Sequence, residues 1–223
     1  MKPTYFITGT DTGAGKTVLT ALLTRFLLRH GVRVAALKSV CSGGRDDARA
    51  LRAALAGALT LDEINPWHFR AAVAPALAAK LEKKKVTLAA IRAHLCATRK
   101  KFDVTLVEGA GGLLSPLGDN FNSRDLIAGL RATPVIVAQN KLGAVNHLLL
   151  TLAALPKNPR GRAKVVLITP AKPDSATATN RKLLESFFPR ERIFTLPWLG
   201  RAFFATAALK KSPVSQTLAA LLQ

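Results

Sequence analysis

The chain has 223 residues, of which 49% are apolar and 21% charged, and its formal net charge is +20. This length and composition exclude a disordered protein and predict one globular domain, residues 1–223, with a sizeable core. No apolar stretch approaches the roughly 20 residues that span a bilayer, and the N-terminus lacks a signal-peptide pattern, so we expect no membrane contact. Two cysteines, Cys41 and Cys96, are too few for a disulfide framework, which favours a reduced, cytoplasmic setting.

The basic charge comes from 33 Lys and Arg against 13 Asp and Glu, spread along the whole chain. No zinc-finger, recognition-helix or aromatic-interleaved basic motif accompanies it. We therefore predict no specific nucleic-acid partner and only weak, non-specific binding at low salt. A solvated basic surface is the alternative explanation.

Apolar strand patterns alternate with helical patterns along the chain. Strands are predicted near residues 4–9, 32–38, 103–108, 133–138, 163–169 and 192–196, and helices near 15–30, 46–57, 87–99, 144–154, 177–187 and 214–222. Several strands are continuous apolar runs, which is typical of a parallel sheet covered by helices on both faces. The predicted fold is α/β, a three-layer sandwich whose ligand lies beyond the carboxyl ends of the strands.

The first strand and the first helix are joined by Gly-Thr-Asp-Thr-Gly-Ala-Gly-Lys-Thr at residues 9–17. A strand, a glycine-rich turn and a helix opening on Gly-Lys-Thr are typical of a phosphate-binding loop (P-loop), whose amides bind phosphate oxygens. Lys16 would contact the β- and γ-phosphates, and the Thr17 hydroxyl would hold Mg²⁺. The loop is one residue longer than the common pattern, which argues against an ordinary GTPase. The motif predicts a P-loop NTPase-like fold that binds a nucleoside triphosphate.

Polar residues follow the second and third predicted strands. Lys38 ends strand two and is followed by Ser42 and by Asp46 and Asp47, whereas Glu108 ends strand three before a glycine-rich turn. Because the carboxyl ends of parallel strands meet at one edge of the sheet, these side chains should lie beside the phosphate loop. Carboxylates there are ligands for Mg²⁺ beside a triphosphate, and either aspartate fits that role.

Taken together, these motifs resemble those of the dethiobiotin synthetase family. The similar segments are Gly-Thr-Asp-Thr-x-x-Gly-Lys-Thr at 9–17, Lys38 with Ser42, Asp47, Asn65-Pro66 with Phe69, Val-Glu-Gly-Ala-Gly-Gly at 107–112, Pro116-Leu117, Lys-Leu-Gly-x-x-Asn-His at 141–147 and Pro197-Trp198-Leu199. Each motif alone is weak, but the combination follows the family's order from residue 4 to about residue 200 and is specific.

The resemblance implies an ATP- and Mg²⁺-dependent ligase. It would close the ureido ring of dethiobiotin from 7,8-diaminopelargonic acid and CO₂, through a carbamate and a carbamic-phosphoric anhydride. The implied catalytic residues are Thr12, Lys16 and Lys38, the substrate-binding residues Thr12, Ser42 and Asn146, and the metal ligands Thr17, Asp47 and Glu108. The family pattern favours Asp47 over Asp46. The implied nucleotide-binding residues are Gly13, Ala14, Gly15, Lys16, Thr17, Val18, Asp47, Glu108, Gly109, Ala110, Gly111, Thr169, Pro170, Pro197, Trp198 and Leu199.

The resemblance also implies a homodimer, because in the family the helix that begins near residue 144 reaches across an interface to the other subunit's substrate. Three departures concern the loop and the base. Gly13 stands where many members have Glu, Thr169-Pro170 where Asn-Asp is frequent, and residues 201–204 where an acidic residue is expected. We therefore expect looser base recognition, with ATP as co-substrate and CTP or another nucleoside triphosphate as an alternative.

Two other functions are consistent with parts of the sequence. A partition- or septum-positioning ATPase has a similar loop, and the basic charge favours it, but such proteins carry a lysine where this chain has Asp11. A degenerate relative that binds nucleotide without closing a ring is the second alternative, which Gly13 and Thr169-Pro170 favour.

Overall fold

The computed structural model describes residues 2–200 and 212–223. The strands in chain order are β1 (Thr4–Gly9), β2 (Val34–Leu37), β3 (Val40–Ser42), β4 (Trp67–Phe69), β5 (Val104–Gly112), β6 (Pro116–Gly118), β7 (Phe121–Asn122), β8 (Thr133–Gln139), β9 (Lys164–Ile168) and β10 (Ile193–Leu196). The helices are α1 (Lys16–Arg29), α2 (Asp46–Ala54), α3 (Leu61–Ile64), α4 (Pro75–Leu81), α5 (Leu88–Lys101), α6 (Ser123–Leu130), α7 (Ala144–Ala154), α8 (Lys157–Gly161), α9 (Ser175–Glu185) and α10 (Ser212–Leu222).

A six-stranded sheet in the order β10-β9-β8-β1-β5-β2 forms the centre of the molecule, and all its neighbouring strands are parallel. Every residue of β1 and of β2 is buried. Since successive side chains of a strand point to opposite faces, helices must cover the sheet on both faces. The predicted α/β fold with a parallel sheet is therefore confirmed. No helix in residues 2–200 and 212–223 is long and apolar enough to span a membrane.

Register between the strands brings their carboxyl ends to one edge of the sheet. Gly9, the last residue of β1, pairs with Val137 of β8, and Gln139 at the end of β8 pairs with Ile168 at the end of β9. Ile168 in turn pairs with Leu196 at the end of β10. The loops after these strands therefore emerge together, as the sequence predicts for the ligand site.

The predicted strands and helices are all present, with small shifts at their ends. Strand β5 continues past Glu108 through the glycine-rich segment. Helix α2 ends at Ala54 because Ala56 and Gly57 adopt positive φ angles of 51° and 78°, which a helix cannot continue through. The short elements β3, β4, β6, β7, α3, α4, α6 and α8 carry too few residues for a periodic pattern, and sequence reasoning did not predict them.

Candidate active site

The loop between β1 and α1 is shaped by two glycines. Gly13 and Gly15 have φ angles of 74° and 98°, a region that residues with a Cβ rarely adopt. A Cβ on Gly15 would also lie too close to the end of the Ile168 side chain, which would have to shift, so both the backbone angle and the contact favour glycine here. Gly15 caps the 14-residue helix α1, whose first amides face the loop and form a site for phosphate oxygens.

Three hydrogen bonds hold the loop in place. The Thr10 amide donates to the Val137 carbonyl at 3.0 Å, and the Gln139 side chain donates to the Gly13 carbonyl at 2.9 Å. The Lys16 ammonium donates to the Asp11 carbonyl at 2.9 Å, across the inside of the loop. Strand β8 therefore fixes the loop from outside, a contribution of Gln139 that sequence reasoning missed.

Lys38 lies at the centre of a charged cluster in which β2, α2 and β5 meet. Its ammonium is 2.7 Å from Asp47 Oδ2 and 2.7 Å from Glu108 Oε1, and it donates to the Gly109 carbonyl at 3.1 Å. Thr17 Oγ1 is within hydrogen-bond distance of Asp47 Oδ1 and of Glu108 Oε1, at 2.9 and 2.8 Å. The side chains of Lys38 and Glu108 are 3% and 0% exposed, whereas that of Asp47 is 48% exposed.

Electrostatic interactions favour the charged forms of Lys38 and Asp47. Burial alone would lower the pKa of Lys38, but the adjacent Glu108 and Asp47 carboxylates raise it above its ordinary value. Burial would raise the pKa of Asp47, and the Lys38 ammonium overcomes that effect and lowers it. Lys16 differs, because burial and the nearby Lys38 charge lower its pKa to about 8. The site thus joins two lysines and two carboxylates.

The same cluster fits a divalent cation. Glu108 Oε2 is buried and has no hydrogen-bond partner, so a group absent from the protein would satisfy it. Asp47, Glu108 and the Thr17 hydroxyl are the hard oxygen ligands that Mg²⁺ prefers. Among residues 2–200 and 212–223 no three His, Cys, Asp or Glu side chains are grouped for a metal. The remaining ligands would therefore be waters and phosphate oxygens, as is usual for Mg²⁺.

Of the two candidate aspartates, only Asp47 faces this cluster. Asp46 is 91% exposed and pairs with Arg49 at 2.6 Å on the solvent side of α2. Successive residues of a helix point about 100° apart, which separates the two side chains.

A buried asparagine positions Lys38 from behind. Asn65, 0% exposed, donates to the Lys38 carbonyl at 2.6 Å, and its side-chain oxygen accepts from Arg45 at 3.2 Å and from the Cys41 thiol at 3.1 Å. Arg45 is the N-cap residue of α2, one residue before the Asp pair. Asn65 thus links the strand end that carries Lys38 to the helix that carries Asp47. The family resemblance includes the Asn65-Pro66 segment, but the sequence predicted no role for Asn65.

A cleft of about 760 Å³ opens beside the cluster. Its wall combines the phosphate loop, the segment after β2, the glycine-rich end of β5 and a stretch before α4. The lining residues are Thr12, Gly13, Gly15, Lys16, Thr17, Val18, Lys38, Cys41, Ser42, Gly43, Asp47, Ala72, Val73, Ala74, Pro75, Ala110, Gly111 and Ser115. The Ser42 hydroxyl donates to the Val73 carbonyl, which ties the α4 side of the cleft to the β2 side. The segment 72–75 and Ser115 were not predicted.

Other predicted site residues lie beside this cleft or away from it. Ala14 is buried within the loop, and Gly109 accepts from Lys38. Thr169, whose amide donates to the Leu196 carbonyl at 2.9 Å, follows β9 with Pro170, next to the Ile168 side chain that contacts the loop. Pro197, Trp198 and Leu199 follow β10 at the same edge, and Trp198 is 57% exposed. The predicted departure at residues 201–204 lies outside the described residues.

Asn146 is the one predicted substrate residue that stands apart from the cleft. It is exposed in the first turn of α7, which follows the Gly143 N-cap. Leu142, just before that helix, is 81% exposed, and Leu150 on the helix is 62% exposed. Within one chain this helix end contributes nothing to the cleft wall described above.

The parallel sheet and the loop define a P-loop nucleotide-binding protein. Two solved structures share the fold: ParA of pNOB8 bound to nonspecific DNA, with TM-score 0.59, and the MinC:MinD cell division complex of Aquifex aeolicus, with TM-score 0.58. Each is 14% identical to this chain and covers 99% of it, with 97% and 93% of the other chain matched. Identity this low shows the fold alone.

Sequence comparison identifies the family. A family model described as an AAA domain matches residues 3–202. The ATP-dependent dethiobiotin synthetase BioD of Akkermansia muciniphila is 39% identical over 186 residues, covering 82% of this chain and 86% of the relative. The corresponding protein of Thermodesulfovibrio yellowstonii is 35% identical over 217 residues, covering 89% and 90%. The chain belongs to the ATP-dependent dethiobiotin synthetase family.

Proposed function

We propose that this protein is a dethiobiotin synthetase that closes the ureido ring on 7,8-diaminopelargonic acid with CO₂ and ATP, releasing ADP and phosphate. Family membership supports the overall reaction. The observation that supports the chemistry is the buried Lys38 ammonium, held 2.7 Å from both Asp47 and Glu108 at the wall of the phosphate-loop cleft. Because the reaction consumes ATP, we propose a cytoplasmic location.

The proposed reaction has three steps. One amine of the diamine adds to CO₂ and loses a proton, which gives a carbamate. A carbamate oxygen then attacks the γ-phosphorus, the bond from that phosphorus to the bridging oxygen breaks, and ADP leaves. The second amine finally attacks the carbonyl carbon of the mixed anhydride, losing its proton as phosphate departs.

Catalysis of this reaction is mostly placement and charge, because the site must hold a carbamate and a triphosphate, both anions, in contact. Lys16 and Lys38 are balanced by Asp47 and Glu108, so the protein alone brings no net charge to the cluster. Thr17, Asp47 and Glu108 would hold Mg²⁺ directly or through water, and the bound ion would supply the missing positive charge beside the phosphates. Lys38 borders both the cluster and the cleft, where it binds and orients the carbamate oxygens.

The other site residues have proposed roles that follow their positions. Residues 13–18 bind the phosphates, and 109–111 border them from the β5 side. Thr12 and Ser42, both on the cleft wall, contact the diamine or its carbamate. The base lies against Thr169, Pro170 and residues 197–199, whose side chains include no carboxylate or amide to read it, so CTP or another triphosphate should also serve.

Phosphate release tests the proposed function. Release is measured with ATP or CTP, Mg²⁺ and bicarbonate, with and without 7,8-diaminopelargonic acid, and dethiobiotin is detected by mass. We expect release that requires the diamine, yields dethiobiotin and disappears in Lys38→Ala. Lys85→Ala, an exposed lysine between α4 and α5 and off the cleft wall, is the matched control and should stay active. Hydrolysis that does not depend on the diamine would refute the synthetase.

We further propose a homodimer in which Asn146 binds the substrate's carboxylate tail in the other subunit's site. The exposed position of Asn146 at the start of α7, beside the exposed Leu142, supports this arrangement. Mixing Lys38→Ala with Asn146→Ala subunits tests it. A mixed dimer contains one site with both residues intact, so mixing should restore activity above that of either variant. If Asn146 serves its own chain's site, mixing restores nothing.

A further inference from the structure

The amino ends of the central strands form the edge of the sheet opposite the cleft, and a basic residue precedes each strand by one to four positions. We define the basic ridge as Arg33 before β2, Lys100 in the last turn of α5 before β5, Lys2 before β1, Arg131 before β8, Arg162 before β9 and Arg192 before β10. The order of the strands places these residues along one edge of the sheet, with Asp103 directly before β5 among them. Neighbouring strands are about 4.8 Å apart, so the row spans about 24 Å.

Hydrogen bonds show that members of the ridge are neighbours in space. The Lys2 ammonium donates to the Lys100 carbonyl at 2.9 Å, and Arg162 reaches the Arg131 carbonyl at 3.4 Å. Arg192 donates to the carbonyl of Gly161, the residue before Arg162, at 2.6 Å. For Lys2 and Arg162 these contacts use one donor and leave the others for an external acceptor, whereas the Arg192 guanidinium also lies over the Phe188 ring at 5.0 Å. The ridge is therefore partly ordered before any partner binds.

Little negative charge compensates the ridge. Within residues 2–200 and 212–223, two of its members have a carboxylate within 4.0 Å: Arg33, with Asp103 at 2.7 Å, and Arg192, with Glu191 at 4.0 Å. Asp103 engages Arg33 through two hydrogen bonds, at 3.0 and 2.7 Å, whereas the Glu191 contact with the partly buried Arg192 is long. The four other members, which include Arg131 and Arg162, have no carboxylate within this distance in the described parts of the chain. Lys101 and Arg160 lie next to members of the ridge in the chain and are also basic, whereas Arg190 is 3.8 Å from the Glu185 carboxylate.

Backbone geometry at Arg131 is a separate observation. Arg131 ends α6 with φ 52° and ψ 35°, in the left-handed region where helices usually place glycine or asparagine. An arginine occupies this position despite its backbone cost, and its side chain projects from the exposed centre of the ridge.

We infer that the basic ridge binds the phosphate backbone of double-stranded nucleic acid without reading its sequence. Arginine forks match phosphate geometry, and a row of about 24 Å covers about seven base pairs of B-DNA. The ridge lies about 20 Å from the cleft, the length of β1 at 3.3 Å per residue, so binding there leaves the active site open. This inference does not depend on the proposed enzymatic function.

Fluorescence anisotropy of a labelled duplex of about 20 base pairs, measured from 50 to 200 mM salt, tests the ridge. The test variant is Arg131→Gln/Arg162→Gln. The matched control is Lys83→Gln/Lys85→Gln, which removes the same charge from exposed positions between α4 and α5. We expect the ridge variant to bind about tenfold more weakly or worse, with a salt slope smaller by up to about 2. The control should bind like the unmodified protein.

An equal loss of duplex affinity in the two variants would refute the inference, because net charge alone would then explain binding. Absence of duplex binding at 50 mM salt, or binding to vesicles of anionic lipid instead, would overturn it as well. Equal affinity for a DNA duplex and an RNA duplex would support recognition of the phosphate backbone. A preference for one of them would identify which nucleic acid supplies the phosphates. An unchanged thermal unfolding midpoint in the ridge variant would show that the loss of duplex binding is not due to misfolding.

Discussion

The two edges of the central sheet carry positive charge in opposite ways. At the carboxyl edge, Lys38 is buried and held by two carboxylates, so its charge is neutralised before any ligand arrives. At the amino edge, Arg131 and Arg162 are exposed, and no carboxylate pairs with either within the described parts of the chain. A buried charge requires a partner because its desolvation is costly, whereas an exposed charge does not.

This difference indicates what each edge can recognise. A fixed, neutral cluster discriminates by geometry, because an anion binds only where it completes the arrangement. An exposed row of like charges binds negatively charged surfaces with little geometric selectivity. The affinity of such binding falls steeply as the salt concentration rises. Variants that remove one of these features at a time test the comparison.

Removing Lys38 should have the largest effect. In Lys38→Met the Glu108 carboxylate remains buried without its cation, which should destabilise the fold by about 3 to 5 kcal/mol. Diamine-dependent phosphate release should fall at least about a thousandfold, since a positioned charge at the reacting oxygen is lost. Thermal unfolding and single-turnover phosphate release measure the two effects separately.

The double variant Lys38→Met/Glu108→Gln separates stability from catalysis. It removes the unpaired buried charge, so much of the lost stability should return while activity remains absent. Recovery of both together would mean that Lys38 acts only on the fold.

Gly15→Ala should have the second largest effect. Its Cβ displaces the end of the Ile168 side chain, and its φ of 98° is unfavourable for alanine, so the phosphate loop is strained. We expect ATP affinity to fall roughly tenfold to a hundredfold, equivalent to about 1.4 to 2.8 kcal/mol. Gly13→Ala is the matched control, because φ there is 74° but no atom lies within 4 Å of the added Cβ.

Rescue identifies the cause of the Gly15 effect. Calorimetric titration of Gly15→Ala/Ile168→Ala should show partial recovery of ATP affinity, since the collision is removed and the backbone strain remains. Equal losses in Gly13→Ala and Gly15→Ala would show that φ alone accounts for the change.

The pH dependence of nucleotide binding should report on Lys16. Its pKa of about 8 lies below that of an unfolded lysine, about 10.4, so between these values the unfolded chain binds more protons. Lys16 therefore makes the free energy of unfolding rise with pH in this window. Binding of a triphosphate has the opposite dependence: it favours the charged lysine, so ATP affinity should fall by up to about tenfold per pH unit above pH 8.

Calorimetry at pH 8.5 in two buffers of different ionisation enthalpy should detect proton uptake on ATP binding. In Lys16→Arg the guanidinium stays charged, and the uptake should vanish. Uptake of the same size in that variant would assign the proton to another group.

Features of the fold and the site that arise from local sequence patterns could be predicted, whereas most contacts between residues distant in the chain could not. The sheet and the phosphate loop were predictable, because apolar runs and Gly-Lys-Thr are local patterns. The meeting of Lys38, Asp47 and Glu108 was predictable from the rule that strand ends converge. The Asn65 link was not, since an asparagine after a four-residue helix has no pattern that points 27 residues back to Lys38.

The basic ridge could not be predicted from the sequence either. The charge of +20 is evident from composition, but its residues are scattered one by one before each strand. Only the topology places Arg131 of one turn beside Arg162 of another. Composition gives the net charge of the chain, whereas binding of a partner depends on where the fold places the charged residues.

Arg131→Gly should have the smallest effect. It tests whether Arg131 contributes to duplex binding at the expense of the stability of the fold. Glycine adopts φ 52° freely, so the variant should gain about 0.5 to 1 kcal/mol in the free energy of unfolding while its duplex binding weakens. Lys83→Gly is the matched control, since Lys83 has the same φ of 52° away from the ridge. It should gain stability and keep its duplex affinity. Denaturant unfolding and anisotropy measured on both variants would then show opposite changes in stability and binding at Arg131 alone, which is the behaviour expected of a side chain retained for its charge.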